Sequence, residues 1–208
     1  MKNYKAIIEH YEACLAEHGD THLGVDWPNI EDALKRYKVM LELLDLKENE
    51  NNFSLLDFGC GASHLFQFIK EQTTLNVEYN GLDISKAFVD LSKEKFPENT
   101  YYCLDILEEN NALPNFDYVI CNGIFTEKRE LSFDEMWAYT KNMLTAIFNK
   151  TEKGMAFNVM SKAVDWERWD LFHLPTDLLI DFMTKELSRN FIIRNDYGLY
   201  EYTVYIYK

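Results

Sequence analysis

The chain has 208 residues, of which 47% are hydrophobic and 27% charged, and its formal net charge at pH 7 is −14. These values are typical of one globular domain, and the acidic balance excludes nucleic acid as an expected partner because like charges repel a phosphate backbone. No apolar run approaches the roughly 20 residues of a membrane span and the N-terminus lacks a signal-peptide pattern, so we expect no membrane association and a cytoplasmic location.

The first forty-six residues predict two helices joined by a polar connector. Apolar residues recur at helical spacing in both. The connector, residues 18–29, is rich in turn-forming residues and ends with Pro28 just before the second helix. We therefore expect residues 1–46 to form a helical lid over a core of residues 53–208, within a single domain.

From residue 53 onward, short apolar runs alternate with helical patterns, which predicts a parallel sheet covered on both faces. Ser132 and Glu135 form a predicted capping box for a helix from Phe133 to Asn149. The predicted strands are Phe53–Phe58, Val77–Ile84, Tyr101–Leu104, Phe116–Cys121 and Met155–Val159. The fold class is thus α/β, a Rossmann-like doubly wound sheet of seven mostly parallel strands.

The C-terminal part departs from this alternation. A helix from Asp177 to Ser188, with Thr176 as its predicted cap, precedes two β-rich runs, Phe191–Asp196 and Tyr200–Tyr207. A glycine-containing turn between them predicts an antiparallel hairpin at the end of the sheet. The tyrosine-rich last run would then expose an edge for pairing, and a monomer or a homodimer is expected.

The stretch from Leu55 to Leu65 predicts a strand, a tight turn at Gly59 and Gly61, and a helix. Such a turn brings backbone close to a ligand at a helix N-terminus. Asp83 follows 22 residues beyond Gly61, at the end of the next strand, which is the spacing of an acid that binds both ribose hydroxyls. A helix-capping role is the alternative for Asp83, although Ser85 is better placed to cap.

Four stretches in this order resemble the motifs of the class I S-adenosylmethionine-dependent methyltransferases. They are Leu55–Gly61, Gly81–Ser85, Tyr102–Ile106 and Phe116–Gly123. The motifs span residues 53–160, and the terminal hairpin extends the likeness in topology to residue 208. The family often has a third glycine where this chain has Ser63, which we expect to cap the following helix instead.

The resemblance implies a role in binding S-adenosylmethionine for each motif. By this resemblance, the methionine part would be lined by Asp57, Gly59 and Gly61, and the ribose would be bound by Asp83. The adenine would have Ile84 on one face, and Asp105 and the Ile106 backbone at its edge. The amino and methyl groups would lie near Asn122 and Gly123. A nicotinamide-binding fold is the competing interpretation, but Asp57 inside the strand and a terminal hairpin without a second domain favour the methyltransferase. A cofactor-binding regulator or subunit without turnover is the alternative function.

The acceptor is predicted less directly. Asn122–Phe125 lacks the Asn/Asp-Pro-Pro-aromatic pattern of amino-group methyltransferases that act on nucleobases and glutamine. The N-terminal half is similar to small bacterial methyltransferases of polysaccharide or nucleotide-sugar pathways. Both points favour a small-molecule or sugar-type acceptor, methylated at oxygen.

Several side chains outside the motifs are candidates for the site. Trp27, Trp166 and Trp169 would stack on the acceptor, or else pack the lid onto the body. His22 and His173 are candidate bases because an imidazole titrates near neutrality. Arg36 would hold the cofactor carboxylate, with a solvated helix face as its alternative role. The four cysteines have no C-x-x-C spacing, so no metal site is predicted.

Overall fold

The structure, a computed structural model, describes residues 4–44, 53–108 and 112–208. The strands are β1 Phe53–Phe58, β2 Val77–Asp83, β3 Thr100–Cys103, β4 Phe116–Cys121, β5 Thr151–Ser161, β6 His173–Leu174, β7 Phe191–Arg194 and β8 Glu201–Tyr207. The helices are α1 Lys5–His18, α2 Ile30–Leu41, α3 His64–Gln72, α4 Lys86–Lys95, α5 Phe133–Asn149 and α6 Thr176–Phe182, which continues as a π-helical turn over Met183–Leu187. None of the described helices is both long and apolar enough to cross a membrane.

One sheet holds the described strands in the order β3-β2-β1-β4-β5-β8-β7, with the two-residue β6 added beside the end of β5. Strands β1 to β5 are parallel, and β8 runs antiparallel to both β5 and β7. The predicted fold class is confirmed. The chain builds outward from β1 first toward β3 and then toward β5, so the strand order reverses beside β1, where open α/β sheets form their ligand crevice.

Both faces of the sheet are buried, as a parallel sheet requires. Leu55 and Leu56 are adjacent in β1 and contribute to different hydrophobic clusters. This occurs because successive side chains of a strand point to opposite faces. Helix α1 differs from the other five helices of the described residues, since none of its residues is fully buried.

Three local predictions at the C-terminal side are wrong. Strand β5 extends to Thr151 and Ser161 because it pairs along its length with β4, β6 and β8. Strand β8 is an inner strand, buried from Glu201 to Ile206, so β7 and not the tyrosine-rich run lies at the edge. Thr176 is already helical and no side chain caps α6, because the extended Pro175 precedes it.

The predicted capping box is present at the start of α5. The Ser132 hydroxyl accepts a hydrogen bond from the Glu135 backbone N–H at 3.2 Å, and the Glu135 carboxylate accepts one from the Ser132 N–H at 2.9 Å. Two N–H groups without helical partners are thereby satisfied.

We expect Ser132→Ala to lower the free energy of unfolding by about 1 kcal/mol, because one end of this box is lost. Ser132→Asn is the matched control, since an asparagine oxygen can accept the same bond and should keep stability within a few tenths of a kcal/mol. Urea unfolding of the three proteins measures the difference. Equal stability of the alanine and asparagine variants would contradict the role of the cap.

Candidate active site

A cleft opens at the carboxyl ends of β1 to β4, beneath α1 and the turn that follows it. Its volume is about 1210 Å³, which includes its solvent-open mouth. The strand ends contribute Asp57, Asp83, Asp105 and Asn122 to its lining. The first helical segment, which is residues 4–27 with α1 and the turn after it, contributes Tyr4, Ile7, Ile8, Tyr11, Val25 and Trp27. The cleft therefore lies at the point where the strand order reverses.

The turn after β1 depends on left-handed backbone. Gly59 has φ +76° and Gly61 φ +49°, and a Cβ at Gly59 would come within 2.4 Å of the Ile124 side chain. The N–H groups of Gly59 and Cys60 both donate to the Leu82 carbonyl, at 2.7 and 2.9 Å. The turn is thus anchored to the end of β2, next to Asp83.

Ser63 does not cap α3, contrary to its predicted role. Its φ is +56°, in the left-handed region, and its hydroxyl hydrogen-bonds with the hydroxyls of Ser92 and Tyr101 inside the protein. A side chain in this backbone conformation cannot reach the free N–H groups of the helix as an ordinary N-cap does. The left-handed conformation gives a physical reason for the glycine that the family often has here.

Two carboxylates of the cleft are held by hydrogen bonds. Asp83 accepts from the N–H groups of Gly61 and Ser85, each at 2.9 Å, and Asp57 accepts from the Tyr79 hydroxyl at 2.7 Å. Desolvation in the cleft raises the pKa of Asp83 to about 6 and that of Asp57 to about 7. Both groups thus favour a ligand that brings positive charge or hydrogen-bond donors to them.

The first helical segment contacts each of the four strand ends. Asp105, two residues after β3, accepts a hydrogen bond from the Tyr4 hydroxyl, and after β2, Ser85 donates to Glu12 at 2.6 Å. Asp20 contacts His64 of α3, the helix after β1, at 2.8 Å and Lys95 of α4 at 2.9 Å, and the Trp27 ring lies against Gly123 after β4. The inward face of α1 therefore borders the cleft, which explains why none of its side chains is fully buried.

The structure brings most of the predicted site residues together. The cleft lining includes Asp57, Gly59, Gly61, Asp83, Ile84, Asp105, Ile106, Asn122, Gly123 and Trp27. It does not include Arg36, His22, His173, Trp166 or Trp169.

Arg36 is committed to a different contact. Its Nε lies 3.0 and 2.9 Å from the two carboxylate oxygens of Glu201, and its guanidinium lies 4.3 Å from the centre of the Trp27 ring. Glu201 is only 1% exposed, so the pair is a buried one. Arg36 thus links β8 to Trp27, while the neighbouring Tyr37 lines the cleft.

The two predicted bases hold local backbone. Nδ1 of His22 donates to the Trp27 carbonyl and Nδ1 of His173 to the Ser161 carbonyl, both at 2.6 Å, since a carbonyl oxygen only accepts. Trp166 and Trp169 lie between β5 and β6 and are 70% and 67% exposed. None of these four side chains therefore lines the cleft.

Comparison with known proteins shows which proteins the chain is similar to. A family model described as "Methyltransferase domain" matches residues 56–146. Rv1506c of Mycobacterium tuberculosis, a protein named as a methyltransferase, is 25% identical over 162 residues, which cover 75% of this chain and 93% of that protein. Both matches liken this chain to methyltransferases.

Two solved structures show that the fold of this chain is shared along its length. Magnesium protoporphyrin IX methyltransferase from Synechocystis, with bound S-adenosylmethionine, has a TM-score of 0.70 and 13% identity and covers 100% of this chain and 98% of its own. The N-methyltransferase NodS from Bradyrhizobium japonicum, in complex with S-adenosylhomocysteine, has a TM-score of 0.66 and 14% identity, and covers 100% and 99%.

The residues of the cleft fit S-adenosylmethionine, the ligand bound in the first of these solved structures. The Oδ1 atom of Asn122 is buried and has no hydrogen-bond partner among the described residues, so it is suited to a donor such as the cofactor's amino group. Asp57, Asp83 and Asp105 supply further acceptor oxygens to the same cleft. His64 is the one basic side chain among the described lining residues, and burial lowers its pKa, so the cleft has little positive charge of its own to repel a cationic ligand.

Sequence reasoning missed the aromatic residues that complete the cleft. Tyr4, Tyr11 and Tyr139 all line it, yet Tyr11 fits the helical apolar pattern of α1 as an ordinary core residue. The only signal at sequence level was that this face belongs to a predicted lid. The apolar face of a lid helix can line the cleft that the lid covers, so it need not pack against a hydrophobic core.

We expect Asp57 to lower stability as its carboxyl ionises. Its folded pKa of about 7 lies above the ordinary value of 3.8, so the folded chain binds more protons and stability falls as pH rises between these values. We therefore compare the free energy of unfolding of Asp57→Asn with that of the unchanged chain by urea unfolding. The difference should shift in favour of Asp57→Asn by about 2 kcal/mol as the pH rises from 5 to 8.

Asp117→Asn is the control for this measurement. Desolvation raises the pKa of Asp117, but hydrogen bonds from Ser54 and the nearby Lys153 outweigh it, and the net pKa lies below the ordinary value. Its stability difference from the unchanged chain should stay flat between pH 5 and pH 8. A flat difference for Asp57→Asn as well would show that Asp57 is already ionised at pH 5.

Proposed function

We propose that this chain transfers the methyl group of S-adenosylmethionine to oxygen of a small, sugar-type acceptor. The observation that carries the proposal is the position of Trp27. A Cβ on Gly123, directly after β4, would lie 2.8 Å from the Trp27 ring, which also lines the cleft beside Asn122. An indole face at this point suits stacking against a sugar ring.

The charges of the cleft support an acceptor without phosphate contacts. Among the described residues no lysine or arginine lines the cleft, and Arg36 beneath the Trp27 ring is neutralised by Glu201. Recognition of phosphates ordinarily uses such cations. A nucleotide-sugar acceptor would therefore present its sugar to the cleft and leave its phosphates outside.

The chain's contribution to the reaction is placement. When bound, S-adenosylmethionine would supply an electrophilic methyl group on a sulfonium, so that an acceptor hydroxyl would gain the methyl group and release its proton to solvent, and the cofactor would leave as S-adenosylhomocysteine. Asp57, Asp83 and Asp105 would bind the ammonium, ribose and adenine, and Asn122 with Gly123 would border the point of transfer. In-line transfer needs alignment and exclusion of water, which a closed α1 provides.

The remaining predicted residues are proposed in outer roles. Residues 1–46 would act as the lid of a single domain with residues 53–208 as its core, although residues 1–3 and 45–52 lie outside the described residues. Trp166 and Trp169 would offer an outer stacking surface for a longer acceptor. His22 and His173 each donate to a backbone carbonyl outside the cleft, so neither is proposed as a base, and the proton released by the methylated acceptor would pass to solvent at the open mouth of the cleft.

Asp83→Asn should weaken S-adenosylmethionine binding by at least about 2 kcal/mol, because hydrogen bonds to a charged acceptor contribute roughly 1.5–3 kcal/mol. Calorimetric titration measures the affinity, and NAD serves as the competing cofactor. Asp90→Asn, on the exposed face of α4, is the matched control and should bind as the unchanged chain does. Unchanged affinity of a folded Asp83→Asn variant would remove Asp83 from the ribose site.

Trp27→Leu should raise the KM for the acceptor by about threefold to tenfold, since an aromatic contact of this kind contributes about 0.5–1.5 kcal/mol. Release of S-adenosylhomocysteine, measured over a panel of monosaccharides and nucleotide sugars, first identifies an acceptor. Trp166→Leu then tests the outer surface in parallel. No turnover with any member would argue against a sugar acceptor, and an unchanged KM in Trp27→Leu would argue against stacking on Trp27.

A further inference from the structure

The Trp27 ring is supported on the side that faces away from the cleft. Trp27 belongs to the described lining of the cleft and Arg36 does not, while the Arg36 guanidinium lies 4.3 Å from the centre of the indole ring. An aromatic ring attracts a cation placed over its face, because that face carries negative charge density. One face of the indole is thus occupied by Arg36, and only the cleft side is open to a ligand.

Arg36 is itself held by strand β8. Its Nε donates to the two carboxylate oxygens of Glu201, at 3.0 and 2.9 Å, and Glu201 is a buried residue. The guanidinium is therefore bound through its edge, which leaves its flat face free to stack on an aromatic ring. A lysine ammonium could pair with the same carboxylate but has no flat face to offer.

A buried ion pair of this kind is a poor source of stability. The cost of removing two charges from water roughly cancels their attraction, and an apolar pair of similar size often serves a fold equally well. The packing of α2 on β8 therefore does not need a cation at position 36. The contact with the Trp27 ring does need one.

The neighbouring strand fixes the backbone that the Trp27 ring meets. The Gly123 N–H donates to Oδ1 of Asn158 in β5 at 2.7 Å, and the ring lies against Gly123. Asn158 and Glu201 lie on the paired strands β5 and β8 and on the same face of the sheet. This strand pair thus holds Gly123 directly and the Trp27 ring through Arg36.

We propose that Arg36 positions the methyl acceptor without contacting it, by holding the Trp27 ring at the end of β4 so that a sugar stacks only on its cleft side. This inference rests on the proposed function, in which Trp27 stacks on a sugar-type acceptor. Arg36 is then a positioning residue, and its whole effect on the acceptor passes through Trp27. The anchor of this arrangement is Glu201, on a strand near the other end of the chain.

The first measurement needs no acceptor. The chain contains four tryptophans, so 5-fluorotryptophan incorporated into the full chain gives four fluorine NMR signals, and Trp27→Leu identifies the signal of Trp27. We expect Arg36→Lys to shift this signal and to leave the other three unchanged, because lysine keeps the charge beside Glu201 but cannot stack. Arg194→Lys, on strand β7 and paired with Asp196 at 2.6 Å, is the matched control and should shift none of them.

The second measurement is a double-mutant cycle with the acceptor found in the panel of sugars. Arg36→Lys should raise the KM for this acceptor by about twofold to fivefold when Trp27 is present, and should leave it unchanged in the Trp27→Leu chain. Affinity for S-adenosylhomocysteine should not change in either chain. A purely structural role of the ion pair would instead raise KM by the same factor in both chains.

A second variant keeps the test open if Arg36→Lys does not fold. Arg36→Met combined with Glu201→Leu replaces the ion pair by an apolar pair and leaves no buried charge without a partner. It removes the cation from beneath the ring, so it should shift the Trp27 fluorine signal. It should also raise KM only when Trp27 is present.

The inference fails in distinguishable ways. An unchanged Trp27 fluorine signal would show that Arg36 does not hold the ring. An equal rise in KM in both chains, or weaker binding of S-adenosylhomocysteine alone, would show that Arg36 acts elsewhere than on Trp27. If no sugar is turned over, or if Trp27→Leu alone leaves KM unchanged, the proposed function fails and the acceptor role of Arg36 fails with it. A shifted fluorine signal in that case places the failure in the acceptor and not in the contact between Arg36 and Trp27.

Discussion

The Asp83 carboxylate joins the parts of the cleft on which the rest of the site depends. One of its oxygens accepts from Gly61 in the turn after β1, and the other accepts from Ser85 at the start of α4. The two strand ends are thereby held in register beside the point where the sheet changes direction. The same turn is also held by the Leu82 carbonyl at its start and by Ser92 of α4, whose hydroxyl donates to the Gly61 carbonyl at 2.8 Å.

This arrangement makes the cleft acidic and desolvates its carboxylates. Burial raises the pKa of both Asp57 and Asp83, so their ionised forms are less stable in the folded chain than in water. A cationic cofactor offsets that cost, whereas a neutral one does not. Binding sites of this kind lower the stability of the folded chain in exchange for affinity for a ligand. The inward face of α1 is a second example, because none of its residues is fully buried.

The short-range features were predictable from sequence because neighbouring residues decide them. Strands β1 and β4 begin and end where their apolar runs do, and the Ser132–Glu135 box forms within four residues. The cleft at the strand ends followed from the glycine turn, the acid 22 residues later, and the motif order. Ser63 and Thr176 failed as caps because the backbone conformation set by their neighbours in space overrode the preference of the residue type.

The sequence by itself determined the fold class, the cofactor and the strand-end residues that line the cleft, since periodicity and motif spacing are local and fold-wide sheet rules place strand ends together. Only the tertiary structure decided that Arg36 pairs with Glu201, 165 residues away, and not with a cofactor carboxylate. It also decided that β8 is an inner strand and that the Trp27 ring lies against Gly123. These contacts join residues that are distant along the chain, so no local pattern encodes which partners meet.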